Sequence, residues 1–125
     1  MNNKKFRVWR NDANQFEYFE LHNITVPERL LVQNKYPVQQ FIGILDKNMK
    51  EIYEEDVVKF QNDSKENIGV VRYFNSYCSY VVEVNDGYDL LSDILFDSLE
   101  VVGNMMESYY YDDNGSLAKH ENSNS

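Results

Sequence analysis

Residues 40–59, QFIGILDKNMKEIYEEDVVK, read as strand, tight turn, short strand, charged corner and strand. Residues 38–45 are rich in side chains that suit a pleated, half-buried surface. Gly43 in their middle suggests a bulge or the close approach of another backbone. Asp46-Lys47-Asn48-Met49 has turn chemistry, because Asx side chains hydrogen-bond to nearby backbone. Residues 50–53 return as a short strand, Glu54-Glu55-Asp56 makes a corner, and residues 57–61 resume as a strand.

The same texture continues on both sides. In residues 5–10 Phe6 and Val8 alternate with Lys5 and Arg7, the period of a half-buried strand, and Trp9 breaks the alternation by sitting on the basic face. Asn11-Asp12-Ala13-Asn14 turns the chain into a hairpin partner at residues 16–21. Residues 22–37 lose the pattern and read as a loop. Thr25 and Pro27 could open one helical turn, with Glu28 in it, and Pro37 pushes Tyr36 toward extended geometry. Residues 62–67, NDSKEN, read as a polar loop. Residues 68–74 and 77–84 form a hairpin across Asn75-Ser76. After the turn at Asn85-Asp86-Gly87, Leu90, Leu91, Ile94 and Leu95 fall at helical spacing, with Asp89 as a candidate cap. Residues 99–102 are a last strand, closed by Gly103-Asn104. The expectation is a mostly β fold with minor α content: a small pseudo-barrel of about seven short strands, capped by one short helix.

Composition bounds the function. A chain of 125 residues suits one domain and needs no disulfide or metal staple. It carries 10 Tyr and 7 Phe, which favour strands. The net charge of -9 disfavours general binding to nucleic acid, whose phosphates repel such a surface. Solubility accounts for that charge, and so would a basic protein partner or mimicry of nucleic acid. The single cysteine, Cys78, allows no intramolecular disulfide. No apolar run approaches a membrane span, and MNNKKFRVWRND lacks the apolar core of a signal peptide, so a cytoplasmic protein is expected.

Three blocks, in order, resemble the YopX family of phage and prophage proteins. Lys5-Phe6-Arg7-Val8-Trp9 is similar to the family's opening. Phe41, Gly43, Leu45, Asp46, Lys47, Asn48, Lys50, Glu51, Ile52, Tyr53, Glu54, Asp56, Val57 and Val58 match its central pattern. Leu99-Glu100-Val101-Val102-Gly103-Asn104 is similar to its closing block. The resemblance implies a β pseudo-barrel with a helical cap over residues 1–107 and a bacterial host cell. It implies no catalytic residue, cofactor or substrate. Met49 and Glu55 stand where the family pattern has glycine. Either the turns change type or these residues hold a left-handed conformation, and a changed turn is the expectation.

Few side chains could carry chemistry. Cys78 with His22 would make a nucleophile and base, but a mid-strand cysteine in an aromatic run reads as a small buried hydrophobe. His120 reads as a solvated residue of a polar tail. Glu54, Glu55 and Asp56 are consecutive in a corner, where opposed environments for acid–base work are rare. Asn85, Asp86, Asp89 and Asp93 lack the ligand spacing of a calcium loop. Trp9, Phe41, Tyr53, Phe60, Tyr73, Phe74 and the tyrosine run 109–111 would suit a base-stacking platform only beside a positive groove, and they read as core. No catalytic residue, cofactor or metal is therefore assigned. Residues 108–125 read as an aromatic, then polar, tail, and Tyr109, Tyr110 and Tyr111 are the candidate contact with a protein partner or a second copy. The functional expectation is a non-enzymatic phage or prophage accessory protein acting through protein contacts. The rivals are an acidic decoy for a basic host nucleic-acid-binding protein and a metal-dependent enzyme.

Overall fold

Three pairs of consecutive valines, Val57-Val58, Val70-Val71 and Val81-Val82, set the core. Successive side chains of a strand point to opposite faces, so each pair buries one valine on each side of a sheet. All six are at most 1% exposed. The computed structural model describes residues 4–10, 13–21, 38–62, 64–85, 87–94 and 96–120. Its strands are β1 (Lys4–Arg10), β2 (Gln15–Leu21), β3 (Val38–Leu45), β4 (Glu51–Tyr53), β5 (Asp56–Asn62), β6 (Lys65–Phe74), β7 (Ser79–Val84), β8 (Gly87–Leu90), β9 (Glu100–Asn104), β10 (Tyr109–Tyr111) and β11 (Leu117–Lys119). The chain is mostly β and holds a curled, half-barrel sheet. It forms two compact units, Met1–Phe41 and Ile42–Ser125. The readings at Asn11, Asp12, His22, Thr25, Pro27, Glu28, Tyr36, Pro37, Asp63, Asp86, Leu95 and residues 121–125 lie outside the described residues.

In the first unit β1 pairs antiparallel with β2 from Lys4↔Leu21 to Arg10↔Gln15 and with the start of β3 at residues 38–40. Trp9 lies opposite Phe16 and meets it edge-on, with ring centroids 5.0 Å apart. The Arg7 guanidinium lies 4.1 Å from the Phe16 ring centroid, and its Nε donates to Gln39 Oε1 at 2.7 Å. This explains the broken alternation: Arg7 is buried beside Trp9, with an aromatic face and an amide oxygen as partners, because a buried cation needs such compensation.

The second unit holds a five-stranded antiparallel sheet in the order β8-β7-β6-β5-β9 and the separate hairpin β10-β11. Val58, Phe60, Val71 and Val82 share one face of the sheet and join Ile52, Ile94 and Leu99 in the main core. Ile42 and Ile44 of β3 and Val101 of β9 pack against it. A turn locks β3 and β4 onto β9. Asp46 Oδ1 accepts from the backbone N–H of Asn48 and Lys50, and Oδ2 accepts from that of Val101, all within 2.9 Å. Lys47 N–H donates to the Leu99 carbonyl at 2.8 Å. Burial of the Asp46 carboxyl would raise its pKa, but the donors from Val101, Lys50 and Asn48, with the Lys50 charge, outweigh burial and hold it below the ordinary 3.8.

Four expectations are corrected. Met49 and Glu55 keep the left-handed conformation, with φ of 67° and 70°, so the turn is retained and not changed. The sequence supplies its own control: in Asp112-Asp113-Asn114-Gly115-Ser116, Asp112 Oδ1 accepts from Asn114 and Ser116 N–H, as Asp46 does from Asn48 and Lys50. Gly115, at φ 78°, stands where Met49 stands. The Asp side chain fixes the turn strongly enough to impose the conformation on a methionine. Second, among the described residues no helix reaches seven residues, so the capping helix is not found there. Residues 87–90 pair with β7 as an edge strand, and the chain to Leu99 has room only for 3-10 turns at Leu91–Asp93 and Phe96–Ser98. Ile94 is extended, at φ -96° and ψ 142°. The apolar spacing was still core spacing, since Leu91 and Ile94 pack on the main cluster. Third, Cys78 is not buried mid-strand. It is exposed in the left-handed conformation, φ 47°, after a 3-10 turn at Asn75–Tyr77. Fourth, NDSKEN is not a loop throughout, because Asn62 pairs with Lys65 and β6 begins there.

Urea unfolding checks the turns. Met49→Gly raises stability by about 0.5–1 kcal/mol by relieving the left-handed conformation, and Gly115→Ala lowers it by about 1 kcal/mol. Asp46→Ala costs about 3 kcal/mol, the worth of several bonds from backbone N–H groups to one buried carboxylate. Because the folded Asp46 value is depressed, its contribution is complete above 3.8 and is lost as pH falls through the lower folded value. Asp46→Asn should therefore flatten the acid limb of wild-type stability against pH.

Candidate functional site

The tyrosine run folds as strand β10, so its side chains alternate. Tyr109 turns inward and packs with Val57 and Val70, and Val102, Met105 and Leu117 complete this second core. Burial holds the Tyr109 hydroxyl pKa above its ordinary value. Tyr110 turns outward and stacks on His120, with centroids 4.6 Å apart. Tyr111 returns to the sheet side. Its hydroxyl donates to Glu83 Oε1 at 2.9 Å and accepts from Arg72 Nη2 at 3.1 Å. The hairpin is held at its root by Asn104, whose side-chain oxygen accepts from Met106 and Glu107 N–H, and by His120 N–H donating to the Ser108 carbonyl at 2.8 Å.

Arg72 is the hub of that face. It pairs with Glu55 through Nη1, and its guanidinium lies 5.8 Å from the Tyr111 ring centroid. Nε is 3.4 Å from Glu83 Oε1. Burial works against the Arg72 charge, but the Tyr111 hydroxyl and the Glu55 carboxylate outweigh it and hold the proton more tightly than usual. Strand register places further residues on the same side. Tyr88 lies opposite Glu83, and Phe74 follows Arg72 by two residues. Phe74 and Tyr88 are in ring contact at 5.0 Å, Tyr77 lies 5.6 Å from Tyr88, and the two hydroxyls bond to each other. That bond, with a lesser effect of burial, raises the Tyr88 pKa. Tyr77, Tyr88 and Tyr111 remain 51%, 39% and 41% exposed. The result is an aromatic strip, Tyr88–Phe74–Tyr77, on the same side as the Arg72–Tyr111 pair.

The other candidates disperse. Trp9, Tyr53 and Phe60 are buried, Phe41 is partly buried, and exposed Tyr73 pairs edge-on with Tyr80. In the acidic corner, Glu55 reaches Arg72 while Asp56 Oδ2 accepts from Tyr53 N–H at 2.8 Å. Asp89 accepts from Asn62 Nδ2, and Asn85 Oδ1 accepts from Leu117 N–H. Among the described residues no three His, Cys, Asp or Glu side chains converge as metal ligands, and no helix is long and apolar enough to cross a membrane. Sequence reasoning missed Arg72 and Glu83 as partners of the tyrosine run, and Tyr77 and Tyr88 as a pair on the same side. Only the full strand register could have joined them.

A family model described as YopX protein matches residues 25–109. The chain belongs to the YopX family. A search of curated proteins finds no match. The YopX-like closing block now has a physical reading. A Cβ on Gly103 would sit 2.8 Å from Tyr109 Cε1, so glycine is needed for the ring to lie against the strand. Asn104 then caps the turn that leads to Tyr109.

Gly103→Ala should lower stability by about 1–3 kcal/mol through overpacking and speed amide exchange in β10 and β11 together. Tyr111→Phe, which keeps the ring and loses two bonds at a half-exposed position, should cost only about 0.5 kcal/mol.

Proposed function

We propose that this YopX-family protein is a non-enzymatic accessory protein of a phage or prophage, working in the bacterial cytoplasm through protein–protein contacts. The observation that supports this is the exposure of three tyrosine rings on one face of the sheet. Exposed aromatic rings that are fixed by their neighbours lose little freedom on binding and are typical anchors of interfaces. The partner is another protein or a second copy of the chain. A second reading, an acidic decoy for a basic nucleic-acid-binding protein, draws on the net charge of -9.

Light scattering over a concentration series tests self-association. A mass that rises above the monomer in wild type, and does not in Tyr77→Ser/Tyr88→Ser, supports contact through this face between copies. A wild type that stays monomeric at every concentration removes that part of the proposal. Removing residues 108–125 is a poor test, because it uncovers Val57 and Val70.

A further inference from the structure

The same side of the sheet already holds one guanidinium against a ring. Arg72 sits beside the Tyr111 ring with Glu55 and Glu83 around it. Farther along the same face Phe74, which shares β6 with Arg72, is in ring contact with Tyr77 and Tyr88, and those two with each other. The Tyr77 and Tyr88 hydroxyls are engaged with each other, which fixes their rings while more than a third of each residue stays exposed. Across the strand pair from Tyr88 lies Glu83, a half-buried carboxylate, and the chain as a whole carries 21 acidic against 12 basic residues. A ring face attracts a cation, and the planar guanidinium stacks on it better than a compact ammonium does. An acidic surface raises the local concentration of a basic partner.

We infer that Phe74, Tyr77 and Tyr88 form a docking site for an arginine-bearing segment of a partner protein, with Glu83, one of two carboxylates set around the single Arg72 guanidinium, supplying the opposite charge. The inference rests on the protein-contact reading above and names the chemistry of the partner. Arginine lays its plane on the Tyr77–Tyr88 pair, as Arg72 lies by Tyr111.

The test titrates the isotope-labelled full chain with an Arg-Gly repeat peptide, and with Lys-Gly and Ser-Gly repeats of equal length. The Arg-Gly peptide should shift the resonances of Phe74, Tyr77 and Tyr88, more weakly as salt rises. Tyr77→Ala/Tyr88→Ala, which leaves the charge unchanged, should bind it about fivefold or more weakly, the summed effect of two exposed ring contacts. If the double variant loses its dispersed spectrum, Tyr77→Ala alone, in the loop between β6 and β7, serves. The proposal is overturned by no binding, by shifts elsewhere on the chain, or by a ring variant that binds as tightly as wild type. Equal binding of the Ser-Gly peptide overturns the arginine assignment and leaves the protein-contact reading standing. Self-association lost in the ring variant, without any peptide binding, does the same.

Discussion

The second unit hangs on one carboxylate. Asp46 gathers the backbone N–H groups of Asn48, Lys50 and Val101, and so joins a turn to a strand far away in the chain. Without it the β3–β4 turn would have no fixed place against β9, and Ile42, Ile44 and Ile52 would lose their register over the main core. A buried anion is tolerable here because the donors that surround it are already fixed by other bonds, such as Lys47 N–H to Leu99. The interaction is electrostatic in origin, yet its effect is to position hydrophobic side chains.

The strength of that constraint shows at the next residues. Two turns in the chain share one bonding pattern around an aspartate, and they differ in having methionine or glycine at the left-handed position. The methionine is forced, and the residue is 74% exposed, so little packing offsets the conformation. Glu55 is different. It takes the same conformation, but its carboxylate reaches Arg72 and its backbone is bonded on both sides, N–H to Val71 and carbonyl to Met105 N–H. One residue is carried by its turn, while the other secures the strand contacts around it.

Much of this was legible in residue order. Period-two alternation gave β1, and turn chemistry at Asp46-Lys47-Asn48 and the hairpin read across Asn75-Ser76 placed the reversals. The helix at Leu90–Leu91–Ile94 was misread because a 3-10 turn also repeats every three residues, so short apolar spacing does not separate the two. Arg7 looked solvent-facing because alternation assigns a face without saying whether that face is covered. The aromatic strip was illegible for another reason. Tyr77 sits in a loop, Tyr88 in an edge strand and Phe74 in β6, and only pairing across β6, β7 and β8 lines them up.

The doubly buried valines carry a consequence for how the chain is made. Val57 and Val70 pair early, across the β5–β6 hairpin, which local contacts can form as soon as both strands exist. Their outer side stays wet until Tyr109 is laid over it, and β5 lacks its second neighbour until β9 appears. During synthesis the half-finished sheet therefore shows the ribosome's surroundings a greasy valine face and an open edge, the kind of surface on which chains stick to one another.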